Sequence, residues 1–213
     1  MSKYVLITCL SLVSIISANA QFKLGIQFSP TLSTNRIEAN SDSLNLDTDG
    51  TGLRMALGPI IDYQIKDNYY FSSGLLFVSK RVGVEATRVD GSGLPNRETY
   101  SLQYLQVPIS LKLFTNEVSI DKKFYFQMGT TMEFAIDEKS KEDENFLIED
   151  FALFDASLLL AFGLEYRLGV NTTLFGGFSY HRGLFNVVSD QVALDTDLKF
   201  KNDYLGLDMG IKF

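Results

Sequence analysis

The sequence predicts an all-β fold, an eight-stranded antiparallel up-and-down transmembrane β-barrel. Three observations lead to this prediction. Segments in which apolar residues alternate with small or polar residues recur along the chain, long polar stretches alternate with short turns between them, and the last segment ends on an aromatic residue. Alternation with a period of two places the apolar side chains on one face of a strand. An even number of strands joined by loops of unequal length is typical of barrels that span an outer membrane.

Residues 1–20 have the features of a secretory signal peptide. Lys3 supplies a positive charge, Tyr4 to Ile16 is an apolar run that is too short to span a membrane, and Ala18-Asn19-Ala20 is a small-x-small cleavage motif. The sequence therefore predicts a signal peptide at 1–20 and an outer-membrane β-barrel domain at 21–213.

Composition and charge limit the classes of function. The only cysteine, Cys9, lies in the signal segment, so no disulfide or cysteine metal site is expected in the exported chain. Cleavage would remove one of the 19 basic residues, Lys3, and none of the 26 acidic residues, which changes the net charge from −7 to −8. A chain this acidic is not expected to bind nucleic acid.

The first half of the exported chain predicts four strands in order. Phe22 to Leu32 and Leu53 to Ile65 alternate cleanly and flank a polar stretch, and Lys66-Asp67-Asn68 predicts a tight turn. The third strand, Tyr69 to Glu85, has a less certain frame because apolar residues occur at both even and odd positions. The fourth, Tyr104 to Phe114, contains Pro108, which we expect at a bulge or an unpaired position.

The second half predicts the remaining four strands. These are Phe124 to Phe134, Phe151 to Arg167, Thr172 to Gly183 and the closing strand to Phe213. In the closing strand the apolar positions expected to face lipid are Leu205, Leu207, Met209, Ile211 and Phe213.

Four polar stretches predict long outward-facing loops, with both termini in the periplasm: 33–51, 85–98, 137–150 and 184–198. The acidic stretch 137–150 could hold a divalent cation, although a solvated loop is the favoured interpretation. A soluble barrel of the lipocalin type is the alternative fold, and it would bury the apolar face. That face is too continuous and too aromatic near its ends to line one small ligand cavity.

The inward-facing positions carry charges of both signs. Those expected to form an inner polar core are Arg54, Lys80, Lys112, Glu133, Asp155, Glu165 and Asp208, together with Lys23, Asp62, Arg167 and Lys212. Side chains just fill the interior of an eight-stranded barrel, and buried charges need partners of opposite sign. We therefore expect a plugged interior that does not conduct solutes.

A catalytic site is not expected. His181, the only histidine, shares a strand face with Ser179, so a Ser-His pair is geometrically conceivable. The order Ser-x-His is the reverse of that in lipid A deacylase barrels, and a lone inward histidine is more often part of a hydrogen-bonded core. One histidine also excludes a histidine metal cluster, and no cofactor is expected.

A family resemblance appears in the fourth strand. The segment Tyr104-Leu-Gln-Val-Pro-Ile-Ser-Leu-Lys-Leu-Phe114 resembles the "YLEIPLLLKY" strand of the PorT-like outer-membrane β-barrel family of Bacteroidetes, with Gln106 where that family often has Glu. Asp155 to Glu165, Tyr180-x-x-Gly183-Leu184 and the terminal strand are also similar to their counterparts. The resemblance implies the fold and a location in the cell outer membrane, and the founding member is implicated in the type IX secretion system.

These observations favour a non-enzymatic barrel that serves an envelope machine, in protein secretion or outer-membrane protein assembly, as an accessory or structural subunit. The expected partners are outer-membrane lipid, the barrel-assembly machinery acting on the C-terminal strand, and other envelope or secretion proteins. The alternative is a small lipid-modifying or ligand-binding outer-membrane barrel.

Overall fold

The computed structural model describes residues 21–39, 44–88, 96–140, 148–191 and 198–213. The predicted signal peptide lies outside the described residues. Within these ranges the chain forms twelve strands: β1 (Phe22–Ala39), β2 (Leu44–Thr48), β3 (Gly52–Lys66), β4 (Tyr69–Gly74), β5 (Leu76–Arg88), β6 (Asn96–Phe114), β7 (Lys122–Ser140), β8 (Ile148–Phe151), β9 (Phe154–Arg167), β10 (Thr173–Gly183), β11 (Val188–Gln191) and β12 (Leu198–Lys212).

The long strands close into a ring of eight, which confirms the predicted fold class. Neighbours pair antiparallel in the order β1-β12-β10-β9-β7-β6-β4-β3, and β1 also pairs with β3. The two ends of the chain meet at this closure, where the backbone N–H of Phe213 donates to the carbonyl of Leu24 at 2.7 Å. Closure pairs the strands of the ring with a neighbour on both sides, as a barrel in lipid requires.

β4 and β5 form a single strand of the ring, interrupted at Leu75. Their pairing with β6 keeps one register, from Ser73 opposite Ile109 to Leu76 opposite Gln106, and it omits only Pro108 and its neighbour. Proline has no N–H to donate to a ladder. The interruption therefore lies where Pro108 was expected to leave a position unpaired.

The strands extend further than the apolar alternation predicts. β1 continues to Ala39 instead of ending at Leu32, β6 begins at Asn96 and β7 continues to Ser140, so the predicted loops 33–51, 85–98, 137–150 and 184–198 are partly strand. Pairing persists through polar residues, as at Asn35 opposite Asn202. The prediction of these boundaries was wrong because it followed the apolar pattern, whereas backbone hydrogen bonds continue without it.

The barrel has two different ends. At the terminal end lie Phe22, Phe213 and the short connections 67–68, 115–121 and 168–172. At the other end, called the loop end, lie β2, which pairs with β5, and a two-stranded sheet of β8 and β11.

An apolar band surrounds the outer wall. Its members include Phe126, Leu160 and Phe162, each 55–57% exposed. The apolar positions of the closing strand, Leu205, Leu207, Met209 and Phe213, are exposed in the same band, and Ile211 is half-buried there. A contiguous exposed apolar surface of this extent is unusual for a soluble monomer and matches the lipid-facing surface of a membrane barrel.

The part of the chain that the structure describes contains no helix long and apolar enough to cross a membrane.

The interior has two parts. Toward the terminal end is the polar interior, whose charged members are Asp62, Lys80, Lys112, Glu133, Asp155, Glu165, Asp208 and Lys212. Toward the loop end is the apolar cap, formed by Val82, Val84, Ala86, Tyr100, Leu102, Tyr104, Ile148, Phe151, Val187, Val188 and Phe200. Leu76 and Val78 are buried inside the barrel, which resolves the frame of the third predicted strand.

Candidate functional site in the barrel interior

Four strands contribute to a charge network near the terminal end. Lys212 on β12 donates to Asp62 on β3 at 2.5 Å and also to Glu165 on β9. Lys112 on β6 lies 3.2 Å from the same Asp62 carboxylate. Ser72 Oγ donates to Asp62 Oδ1 at 2.6 Å. Two lysines and one hydroxyl therefore converge on Asp62, and each buried charge has a partner of opposite sign.

A second network surrounds Lys80. Its Nζ donates to Glu133 and lies 3.6 Å from Asp155 Oδ2, and all three side chains are fully buried. Glu133 and Asp155 are direct cross-strand neighbours on β7 and β9. Thr131 and Ser157 each donate a hydroxyl to Glu133 Oε1 at 3.2 Å. The hydroxyl donors help satisfy a site in which two carboxylates share one lysine.

Asp208 is held by hydroxyls. Ser29 Oγ donates to Asp208 Oδ1 at 2.7 Å and Ser179 Oγ donates to the same oxygen at 3.0 Å. The hydroxyl of Ser179 is therefore used as a hydrogen-bond donor to the Asp208 carboxylate.

His181 belongs to a different network. Its Nδ1 lies 3.3 Å from Gln106 Nε2, and its ring stacks on Tyr204 with 4.0 Å between the ring centroids. Tyr204 Oη in turn donates to Gln106 Oε1 at 2.9 Å. No hydrogen bond joins His181 to Ser179, so the structure does not assemble the Ser-His pair that the sequence left conceivable.

Glycines make room for the interior aromatic rings. Gly163 on β9 and Gly177 on β10 are cross-strand neighbours. A Cβ on either would lie 2.6 Å from Tyr125 Oη, so a larger residue at either position would displace this ring. Lys112 Nζ lies 5.0 Å from the centroid of the Tyr125 ring, a cation–π contact that adds to the packing of the polar interior.

The structure places most of the predicted inner residues together. Lys80, Lys112, Glu133, Asp155, Glu165, Asp208, Asp62 and Lys212 are all buried inside the barrel. Lys23 is half-buried at the terminal end.

Two arginines correct the predicted inner core. Arg54 is half-buried near the start of β3, where its Nη1 donates to the carbonyl of Leu53 at 3.2 Å, and it makes no ion pair with any residue that the structure describes. Arg167 is exposed, with its guanidinium 4.0 Å from Glu117. Both arginines lie near strand ends, where the tip of a long side chain can reach water, although the Nε of Arg54 stays buried on the inward face of β3.

A cavity of about 30 Å³ in the polar interior is bounded by Ser29, Gln127, Ser179 and His181, and one of about 60 Å³ lies at the terminal end beside Lys23, Tyr70 and Glu165. Each has room for only a few water molecules. Among the residues described, no group of three or more His, Cys, Asp and Glu side chains is arranged to hold a metal ion. The stretch 141–147 of the predicted acidic loop lies outside the described residues.

The apolar cap is the feature that the sequence interpretation missed. Its signal is an inversion within β6. From Gln106 to Lys112 the inward positions are mostly polar, whereas Tyr100, Leu102 and Tyr104 are buried apolar residues at the same parity. The predicted fourth strand began at Tyr104, and the predicted loop before it ended at residue 98. Tyr100 and Leu102 therefore fell outside any predicted strand, and the inversion did not show in the alternation.

Comparisons with known proteins agree with this architecture. A family model described as "Outer membrane protein beta-barrel domain" matches residues 16–189. Neisserial surface protein A is similar in fold, with a TM-score of 0.53, 11% identity, and coverage of 90% of this chain and 95% of that chain. OprG from Pseudomonas aeruginosa has a TM-score of 0.57, 10% identity, and coverage of 91% and 97%. No curated protein sequence is significantly similar to this chain.

Proposed function

The chain belongs to the outer membrane protein β-barrel domain family, and from this premise we propose that it is a non-enzymatic accessory barrel that binds other envelope proteins through its loop end. The outer membrane is its location. The proposal concerns its role there, with the loop end facing the outside of the cell.

The height of the barrel above the apolar band carries this proposal. β6 is 19 residues long, and its outward apolar positions run only from Leu105 to Leu113. At about 3.3 Å per residue and a tilt of about 40°, this stretch is roughly 20–25 Å high, which matches the apolar band of outer-membrane barrels. The other half of β6, Asn96 to Tyr104, continues to a similar height beyond the band. The loop end is therefore a rigid platform with its own core.

The interior supports a role that acts through surfaces. The polar interior contains two networks of ion pairs and hydrogen bonds, and Ser179 and His181 lie in separate hydrogen-bond networks. The proposal therefore assigns neither residue a catalytic role and takes the interior to be a structural plug.

The loop end also offers anchors for a partner. Leu153, Leu184 and Phe185 are exposed there, and the Phe185 ring lies 6.0 Å from that of Phe154. Exposed apolar and aromatic side chains are favoured anchors at protein interfaces. The resemblance of the fourth strand to PorT-like barrels supports partners in protein secretion or outer-membrane protein assembly. The closing strand is the segment that we expect the barrel-assembly machinery to bind.

Purification of the tagged chain from its native membranes in mild detergent tests the proposal. We expect a large complex, and we expect Leu153→Ser with Phe185→Ser to release the partner while the barrel stays folded. His181→Ala is the matched control and should keep the complex. A monomer from the native membrane would contradict the proposal.

A deletion strain provides the second test. Loss of the chain should change the surface and secreted proteins, whereas His181→Ala should not. If both strains have an altered lipid A profile and unchanged surface proteins, the accessory role is wrong and a lipid-modifying enzyme replaces it.

A further inference from the structure

We propose that one flank of the outer wall, formed by β7, β9, β10, β12 and the loop end of β1, is a binding site for a lipid with an anionic phosphate headgroup. An apolar groove takes the acyl chains, and a basic cluster above it takes the phosphate. This site adjoins the platform proposed for protein partners, but it does not depend on that role.

The outer groove lies within the apolar band. It has a volume of about 440 Å³ and is lined by Phe126, Met128, Leu160, Phe162, Phe178 and Leu205, with Tyr180 at its upper border. The rings of Phe162 and Phe178 lie 5.6 Å apart. A groove of this size is within the range of ligand sites, and its apolar lining is open to the surrounding lipid.

A basic cluster begins where the groove ends. Arg182 follows Tyr180 by two residues on the same outward face of β10, which places its Cα about 7 Å nearer the loop end. Arg182 is the register partner of Asp203, and Arg36 is that of Lys201. The cluster comprises the outward-facing residues Arg36, Arg182, Lys199 and Lys201, with the acids Glu38 and Asp203. Among the described residues of this flank, the pairs Arg36–Asp203 and Lys201–Glu38 use both acids and leave two cations in excess, in a chain of net charge −7.

Hydrogen bonds fix the centre of the cluster. Arg36 donates through Nε to Asp203 Oδ2 at 2.8 Å and through Nη2 to the carbonyl of Gly183 at 2.8 Å. The backbone N–H of Gly183 donates to Asp203 Oδ1 at 3.0 Å. Asp203 is therefore neutralised by Arg36 and ordered by β10, which leaves Arg182 and Lys199 exposed without an ion pair to any described residue.

The opposite flank lacks this excess. Arg81 pairs with Asp49 at 2.7 Å, and Arg97 pairs with Glu85 at 3.0 Å. Cations there are neutralised by adjacent acids, so general attraction to any charged membrane would not explain the cluster. The asymmetry indicates one site on one flank.

The position of the cluster favours lipid over an acidic protein. It lies directly beyond the edge of the apolar band, the level at which headgroups meet a barrel, and it is continuous with a groove that acyl chains can fill. Basic side chains at this level attract anionic headgroups, by about fivefold in affinity for each side chain. The two features therefore match the two parts of one lipid molecule.

Native mass spectrometry of the folded full chain tests this site, with phosphatidylglycerol and phosphatidylcholine of identical acyl chains as probes. We expect phosphatidylglycerol to bind about tenfold more tightly. The variant Arg182→Gln/Lys199→Gln/Lys201→Gln should lose at least tenfold of that affinity. The matched control Lys66→Gln/Arg97→Gln/Lys139→Gln makes the same change in net charge away from the site and should bind normally.

Further variants separate the two parts of the site. Met128→Trp should fill the outer groove and weaken both lipids equally. Arg182→Gln alone, checked for folding by its mobility on unheated gels, should weaken phosphatidylglycerol about fivefold. Equal binding of the two lipids by the unmodified chain, or equal losses in the triple variant and its control, would overturn the proposal. Selective capture of an acidic protein without lipid selectivity would also overturn it.

Discussion

The polar interior and the apolar cap occupy the same barrel and are built on the same strands, yet their chemistry is opposite. On β12, the buried inward residues Asp208 and Lys212 belong to the polar interior, and Phe200 belongs to the apolar cap. On β6, Lys112 lies in the first and Leu102 in the second. From Lys212 to Phe200 on β12 and from Lys112 to Leu102 on β6, the inward face changes from charged to apolar toward the loop end.

The outward face changes in the reverse direction at the same level. On β6, Ile109 and Leu111 are exposed on the outer wall within the apolar band, and Gln103 and Ser101 take the outward positions beyond it. Where lipid surrounds the barrel, apolar residues must face out and the interior receives the polar ones. Beyond the membrane, water surrounds the barrel and the strands pack an ordinary apolar core.

The two regions also differ in how they stabilise the chain. Charges brought out of water lose hydration that their pairing only partly recovers, so an ion network is costly to break and adds little over an apolar alternative. The apolar cap gains free energy from each buried group. Variants in the two regions should therefore differ in how much they reduce the free energy of unfolding, and in whether the effects of single changes add up.

The largest effect is expected from Lys212→Met. Loss of this ammonium leaves Glu165 without its cation and Asp62 with Lys112 alone. Removal of one partner from a buried network costs about 3–5 kcal/mol, measured as the free energy of unfolding in denaturant titrations of the barrel in vesicles. Lys139→Met, which removes an exposed pair, should change that free energy by less than about 1 kcal/mol. Equal losses would contradict the ion network.

A smaller loss is expected in the apolar cap. Leu102 is 2% exposed, so Leu102→Ala removes buried area and leaves a cavity, at about 3 kcal/mol in the free energy of unfolding. Leu111→Ala is the matched change on the lipid-facing side of the same strand. It should cost roughly half as much, because acyl chains refill the space and only the transfer free energy is lost. A larger loss for Leu111→Ala would show that Leu102 is not in a packed core.

The inversion of the outward face predicts a difference between two added charges. Leu207→Asp places a carboxylate in the apolar band and should reduce the free energy of unfolding by about 1–2 kcal/mol, which is less than the cost of Arg or Lys at the midplane. Ser101→Asp lies beyond the band, opposite Lys139, and should fold normally. Asp208→Asn should also be mild, since the amide oxygen still accepts from Ser29 and Ser179. Equal insertion yields for Leu207→Asp and Asp208→Asn would reject this frame.

A still smaller effect is expected when the Lys80 network is neutralised as a unit. Lys80→Met alone leaves Glu133 and Asp155 without a cation and should cost about 3 kcal/mol. The triple variant Lys80→Met/Glu133→Gln/Asp155→Asn removes all three charges while the amide at 133 still accepts from Thr131 and Ser157. Its loss in the free energy of unfolding should be about 1 kcal/mol. A triple variant that is less stable than the single would show that the charges themselves stabilise the barrel.

The smallest expected signal is the ion conductance of the purified barrel, which should be zero. The inner cavity bounded by Ser29, Gln127, Ser179 and His181 is only about 30 Å³ and the buried charges around it are held in ion pairs or hydrogen bonds, so the purified folded barrel should show no sustained single-channel steps in planar bilayers. Reproducible large steps would mean that the interior opens.

The sequence by itself determined that eight strands form the ring, and the direction in which most of their side chains point. A period of two is a local property, so the outward positions of Leu205 and Leu207 and the inward positions of Lys80 and Glu133 follow from alternation alone. Only the tertiary structure decided which charges pair, because the partners Asp62 and Lys212 are 150 residues apart and meet through barrel closure. It also decided where strands end, that Arg54 stays outside the two ion networks, and that β8 and β11 complete the apolar cap. These features depend on pairing and packing between distant segments, whereas alternation reports only the two faces of one strand.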